Sequence, residues 1–95
     1  MKTYTLLIPP AVEAVIRHLH PLIKSRIRRA LEEIRKDPHD GKPLKDQLTG
    51  LYSFRAVQYR IIYQIVEWKV LIEVIDVGKR KIIYQKISAT RPHIH

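Results

Sequence analysis

The residues best suited to chemistry in this sequence are arginines set among strand-forming runs. Arg55 lies in the alternating run Leu51 to Val57, and Arg60 sits near the start of the run Tyr59 to Val66. Lys79, Arg80 and Lys81 follow the most hydrophobic run, Val70 to Val77. If these runs neighbour one another in a sheet, Arg55, Arg60 and Arg80 converge on one concavity. A guanidinium suits a phosphate there, because its planar fork donates two parallel hydrogen bonds to phosphate oxygens. Tyr84, four residues past Arg80, adds a face on which an unstacked base can lie. The competing reading is that of solvated charges guarding sheet edges against aggregation. Spacing alone leaves both open.

Other chemistries find less support. The sequence has no cysteine, which excludes disulfides, thiolate–zinc sites and cysteine nucleophiles. Glu73 and Asp76 are three positions apart, so in a regular strand they face opposite sides and form no paired-carboxylate site. They, like Glu32 and Glu33 among the basic residues of a helix, read as solvated charges. His18/His20 and His93/His95 each have an i, i+2 spacing, but no acidic or cysteine cluster completes a metal shell. Three scattered glycines make no phosphate-cradling loop. Neither a metal nor a cofactor is expected.

Charge points the same way as the arginines. Eighteen Lys+Arg against nine Asp+Glu leave a net charge of +9, which favours a polyanionic partner. With 45% hydrophobic and 28% charged residues over 95 positions, the composition is that of one globular domain with one modest core. Apolar runs are only a few residues long, far short of the ~20 that span a bilayer. Met1-Lys2 and the early Pro9-Pro10 do not resemble a signal peptide, so a cytoplasmic protein without membrane contact is expected.

The elements that must position these residues follow from periodicity. Tyr4 to Ile8 reads as a short strand closed by Pro9-Pro10, and Pro10 suits the first position of a helix. Val12, Val15, Ile16 and Leu19 recur at helical spacing until His20-Pro21 breaks it. A second helix carries Ile23, Ile27, Ala30, Leu31 and Ile34 on one face and stops at Asp37-Pro38. His39 to Gly50 is polar and turn-rich, with Leu44 and Leu48 as anchors to the core. The second half alternates. Tyr52, Phe54 and Ala56 take one face, and Ser53, Arg55 and Val57 the other. Glu67-Trp68-Lys69 reads as a hairpin connection, Gly78 as an interruption, and Ile82 to Tyr84 as a return to the core. The expected order is β-α-α-β-β-β, an α+β domain over residues 1–87 with a helical hairpin on a small antiparallel sheet, and a flexible tail over 88–95.

Three segments together resemble the RelE/ParE superfamily of toxin–antitoxin toxins: KPLKDQLTGLYSFR before and within the first long strand, YRIIYQI, and the terminal VGKRKIIY. The similarity covers residues 1 to about 87, and the β-α-α start agrees with that fold.

The resemblance implies a small toxin held inactive by a cognate acidic antitoxin, RelB-like. In the RelE branch the toxin enters the ribosomal A site and cleaves mRNA without a metal; in the ParE branch the same fold poisons DNA gyrase. By position, the RelE catalytic basic residues fall on Arg55, Arg60 and Arg80, and the C-terminal aromatic on Tyr84. Ser53 stands where the best-known member has a lysine, and Arg55 also replaces a lysine. Ser53, Lys79 and Lys81 complete the set expected to contact RNA phosphates. Arginine keeps its proton at ordinary pH, so the group that takes the 2′-OH proton is open among Tyr84, a tail histidine and the ribosome. The expected partners are therefore antitoxin, ribosome and mRNA. A gyrase inhibitor and a plain basic nucleic-acid-binding module are the alternatives.

Overall fold

The computed structural model describes residues 3–90, with the side chains of Arg80, Lys81, Ala89 and Thr90 outside that description. The chain forms β1 (Thr5–Leu7), α1 (Pro10–Arg17), α2 (Pro21–Lys36), β2 (Lys42–Pro43), β3 (Tyr52–Ala56), β4 (Tyr59–Val66), β5 (Leu71–Lys79) and α3 (Arg80–Thr90). Prolines open α1 and α2, where a missing N–H costs nothing. His20 adds a side-chain cap by accepting from the Leu22 N–H at 3.2 Å.

The strands form one five-stranded sheet in the order β1-β5-β4-β3-β2. The α+β class and the helical hairpin are as expected. The sheet is mixed rather than antiparallel, because β1 returns through the hairpin to lie parallel to β5. Helices α1 and α2 cover one face, where Ile16, Ile27, Ile34, Ile61, Tyr63, Ile72 and Val74 are fully buried. On the opposite face a smaller cluster joins Leu51, Ile62, Ile83 and Ile87. Among the described helices none is long and apolar enough to cross a membrane.

Three sequence expectations change here. Gly78 does not interrupt the strand; β5 runs through it to Lys79. The segment expected to end a strand at Arg80-Lys81 instead begins helix α3, and the expected return to the core is made from that helix by Ile83 and Tyr84, with Ile82 exposed. It docks because Ile83 and Ile87, four apart, share one helical face and fill the smaller cluster. Helix α3 continues through Ser88 to Thr90, and residues 91–95, the rest of the expected tail, lie outside the described residues.

The third change concerns the acids. A β-bulge at Ile62/Tyr63 places Asp76 opposite Ile62 and Glu73 opposite Gln64. Directly opposed residues share a face, and Ile62 and Gln64 are two apart, so Glu73 and Asp76 lie on the same side of the sheet. They still form no carboxylate pair. Glu73 accepts from the Gln64 side-chain amide. Asp76 is buried rather than solvated: its Oδ2 meets Lys86 Nζ of α3 at 2.8 Å, and its Oδ1 accepts from the Val77 N–H at 2.8 Å.

The β3–β4 loop is only Val57-Gln58, since Ala56 pairs with Tyr59. A two-residue loop fixes register, and here it forces Val57 to φ 59°, a region that β-branched residues avoid. Val57→Asn should therefore raise stability by about 1 kcal/mol, read as a higher urea midpoint with unchanged slope. Between the helices, Arg28 Nη1 donates to Glu13 Oε2 at 3.1 Å and holds that carboxyl below its ordinary pKa. A lowered folded-state pKa gives stability that is full above the ordinary carboxylate range and is lost as pH falls through the depressed value. Because both side chains are partly solvated, Glu13→Gln should cost only about 0.5 kcal/mol at neutral pH. The difference should shrink as pH falls below the ordinary carboxylate range when unfolding is compared across pH.

Candidate active site

Strand pairing builds the site. Arg55 and Arg60 are direct partners across the β3–β4 ladder, which places both side chains on one face. Ser53, two residues before Arg55, shares that face and is buried at 6% exposure. On its other side Ser53 pairs with Lys42 of the two-residue strand β2. Across the same face comes α3, whose Tyr84 hydroxyl lies 2.8 Å from Ser53 Oγ. Lys42, Ser53, Arg55, Arg60 and Tyr84 together line a concavity of about 220 Å³.

Two glycines allow this approach of elements. A Cβ on Gly41 would fall 2.1 Å from Tyr63 Oη, whose hydroxyl donates to the Pro38 carbonyl at 2.6 Å. Gly41 thus lets β2 come in against β3 and brings Lys42 with it. Burial pushes the Tyr63 phenol well above its ordinary pKa, so it remains a neutral donor. Gly78 lies opposite Arg60, and a Cβ there would meet Ile83 Cδ1 at 3.2 Å. A bare backbone at Gly78 lets the first turns of α3 lie close.

Of the residues expected to act, Arg55, Arg60, Tyr84 and Ser53 come together. Arg55 is exposed; Arg60 is half-buried, with Nη1 donating to the Tyr59 carbonyl at 3.3 Å. Lys79 is exposed and pairs with Tyr59, whose ring packs into the larger core, so it lies outside the concavity. Arg80 and Lys81 form the start of α3, two and three residues past the Gly78 that faces Arg60; their side chains lie outside the described ones. His93 and His95 also lie outside the described residues. Lys42 was missed. It sits in a stretch that reads as a polar loop, and only its pairing with Ser53 reveals it.

No carboxylate or imidazole is among the lining residues. Two permanent guanidinium charges, an ammonium and two hydroxyls describe a site for an anion with several oxygens. Among the described residues no group of His, Asp or Glu is placed to hold a metal ion.

Comparison with known proteins agrees with this architecture. The family model for the ParE toxin of type II toxin–antitoxin systems, parDE, matches residues 11–84. The chain therefore belongs to the ParE toxin family, within the RelE/ParE superfamily. Toxin RelE of Mycobacterium tuberculosis (strain ATCC 25618 / H37Rv) is 37% identical over 57 residues, covering 59% of this chain and 58% of that protein's length. The chain thus spans less than two thirds of the curated relative it matches. A chain of the toxin–antitoxin complex RelBE2 from M. tuberculosis superposes with a TM-score of 0.76 at 26% identity, covering 84% of this chain and 94% of that one. A mutant of Escherichia coli toxin RelE in the free state shares the fold, with a TM-score of 0.71 at 21% identity and coverage of 93% and 98%.

The Ser53–Tyr84 bond joins α3 to the sheet inside the concavity. Ser53→Ala and Tyr84→Phe should each cost about 0.5–1.5 kcal/mol. In a double-mutant cycle by urea unfolding, the two losses should fall short of additive, because either change alone breaks the same bond.

Proposed function

We propose that the protein is a toxin of a type II toxin–antitoxin pair that cleaves mRNA in the ribosomal A site without a metal. The observation that carries this reading is the convergence of Arg55 and Arg60 with Lys42, Ser53 and Tyr84 on one carboxylate-free concavity. In the reaction, the substrate's 2′-oxygen attacks the adjacent phosphorus and the bond to the 5′-oxygen breaks. The products are a 2′,3′-cyclic phosphate and a 5′-hydroxyl. The 2′-OH proton passes to a basic group and the leaving oxygen receives one. Arg55 and Arg60 stabilise the charge that develops on the phosphorane, Arg80 contacts the phosphate or the leaving oxygen, and Tyr84 stacks on or orients a base.

With no strong base in the concavity, the site depends on substrate orientation supplied from outside, and the translating ribosome supplies it. A cognate acidic antitoxin masks the basic face. Association is steered by the net charge of +9. The structural likeness to a chain solved in the RelBE2 toxin–antitoxin complex supports such a partner.

Translated message should be cut at discrete in-frame positions in primer extension, and free RNA far more slowly. Arg60→Ala, folded by circular dichroism, should lower cleavage by about two orders of magnitude, the usual consequence of removing one transition-state donor. Unchanged cleavage would dismiss the site. The family model is that of ParE, which favours a second reading as a gyrase inhibitor without catalysis. Inhibition of gyrase supercoiling with intact message would decide for it.

A further inference from the structure

Arg55 lines a second cavity besides the concavity, of about 210 Å³, between α2 and the edge of β3. The charged residues of that cavity are Arg26 and Arg29 of α2, Arg55 and Glu33. Three arginines thus stand against one carboxylate. Arg26 and Arg29 are three apart, so they share a helical face, and both are exposed. In the same helix Arg28 is bound to Glu13 and Arg35 to Glu32. Arg26 and Arg29 make no ion pair among the described residues.

Between the two cavities runs an open stretch of β3. The Leu44 N–H donates to the Leu51 carbonyl at 2.9 Å, so Leu51, Ser53 and Arg55, in alternation, turn their main-chain groups to that side. Strand β2 pairs only with Tyr52 and Ser53. No described strand lies beyond Arg55 on that side, so its N–H faces an open edge. Two residues on, Val57 turns into the loop at φ 59°. That edge is too short to add a partner strand, which needs a row of free ladder groups. A main-chain N–H flanked by guanidinium groups suits phosphate oxygens instead.

An extended nucleic-acid strand presents such oxygens at every nucleotide. We propose that single-stranded RNA held at Arg55 and Arg60 continues around the open edge of β3, and that Arg26 and Arg29 hold its next phosphates. Glu33, a further turn along the helix, repels phosphate and limits the track to those two contacts. The proposal rests on the phosphate site of the functional reading.

The test uses the full chain and 5′-labelled 2′-O-methyl RNA strands of three and nine nucleotides. Their blocked nucleophile prevents cleavage, and binding is read by fluorescence anisotropy across salt concentrations. Arg26→Gln/Arg29→Gln should weaken the longer strand about tenfold and lower its salt slope by about 1.4, since each lost phosphate contact removes about 0.7. The trinucleotide, too short to leave the concavity, should change by less than about twofold. Lys36→Gln/Lys69→Gln removes equal charge at exposed positions outside both cavities, and should change the longer strand by less than about twofold. Arg60→Ala should weaken both lengths.

Equal losses in the two charge variants, equal losses at both lengths, an unchanged salt slope, two long strands bound per chain, or no binding would each overturn the track. So would an acidic peptide of the same charge that binds as tightly as the longer strand and loses as much in Arg26→Gln/Arg29→Gln. If translated message stays whole while the length-dependent loss is seen, the nuclease reading falls and the track stands. If message is cut and Arg60→Ala stops the cutting, while Arg26→Gln/Arg29→Gln binds both lengths normally, the track alone falls.

Discussion

Two arginines face one another across neighbouring strands, and like charges so placed repel. Directly opposed residues hold their Cβ atoms about 5 Å apart, so both guanidinium groups rise from one spot on the sheet. The ladder keeps them there because the opposite faces of the same strands bury Phe54, Ala56, Ile61 and Tyr63 against the helical hairpin. A slip of one residue would turn that whole set outward. Each fully buried large apolar side chain contributes about 1.5–3 kcal/mol, so a few of them outweigh the repulsion. The fold thus holds cations together that would otherwise separate, and an anion entering the concavity relieves the repulsion without rearranging the protein. Fixed charge of this kind is what transition-state stabilisation needs.

The elements around that ladder are fitted to bring further groups in close. Gly41 admits β2 beneath Tyr63, which delivers Lys42; Gly78 admits α3 beside Arg60, which delivers Tyr84. The ion pair between buried Asp76 and exposed Lys86 ties α3 to the sheet farther along the same face. Strain is stored next to the site as well, in the left-handed Val57 of the loop that sets the arginine register.

How far the sequence revealed this depends on the range of the interaction. The helical hairpin was legible because its signals are local: prolines at the first helical positions and apolar residues at i, i+3, i+4 spacing. The alternation that put Ser53 and Arg55 on one face was legible for the same reason. What pairing decides was not. The parallel return of β1, the bulge that turns Glu73 and Asp76 to one side, and the recruitment of Lys42 all depend on which strand lies beside which. Helix α3 escaped because Ile82-Ile83-Tyr84 is a β-branched and aromatic run, and tertiary contact overrode its strand preference. Of the candidate site, Arg55, Arg60 and Tyr84 were found from residue type and spacing, while the place of Lys42 was set by long-range geometry.

Ser53, which departs from the best-known relative's lysine, also finds a physical reason in this arrangement. Its side chain is nearly enclosed, between Lys42 on one side and the Tyr84 hydroxyl above it. A lysine there would add a fourth cation to Arg55, Arg60 and Lys42, and its ammonium would have to leave the enclosed position to reach water. Serine instead satisfies its hydroxyl on Tyr84 and lets α3 close over the strand. The positive charge that position 53 lacks is carried one strand away, on the exposed stem of Lys42, where hydration is kept. The site thus keeps its cationic character while its wall becomes neutral and close-packed, and the same substitution that removes a lysine is the one that fixes the tyrosine in place.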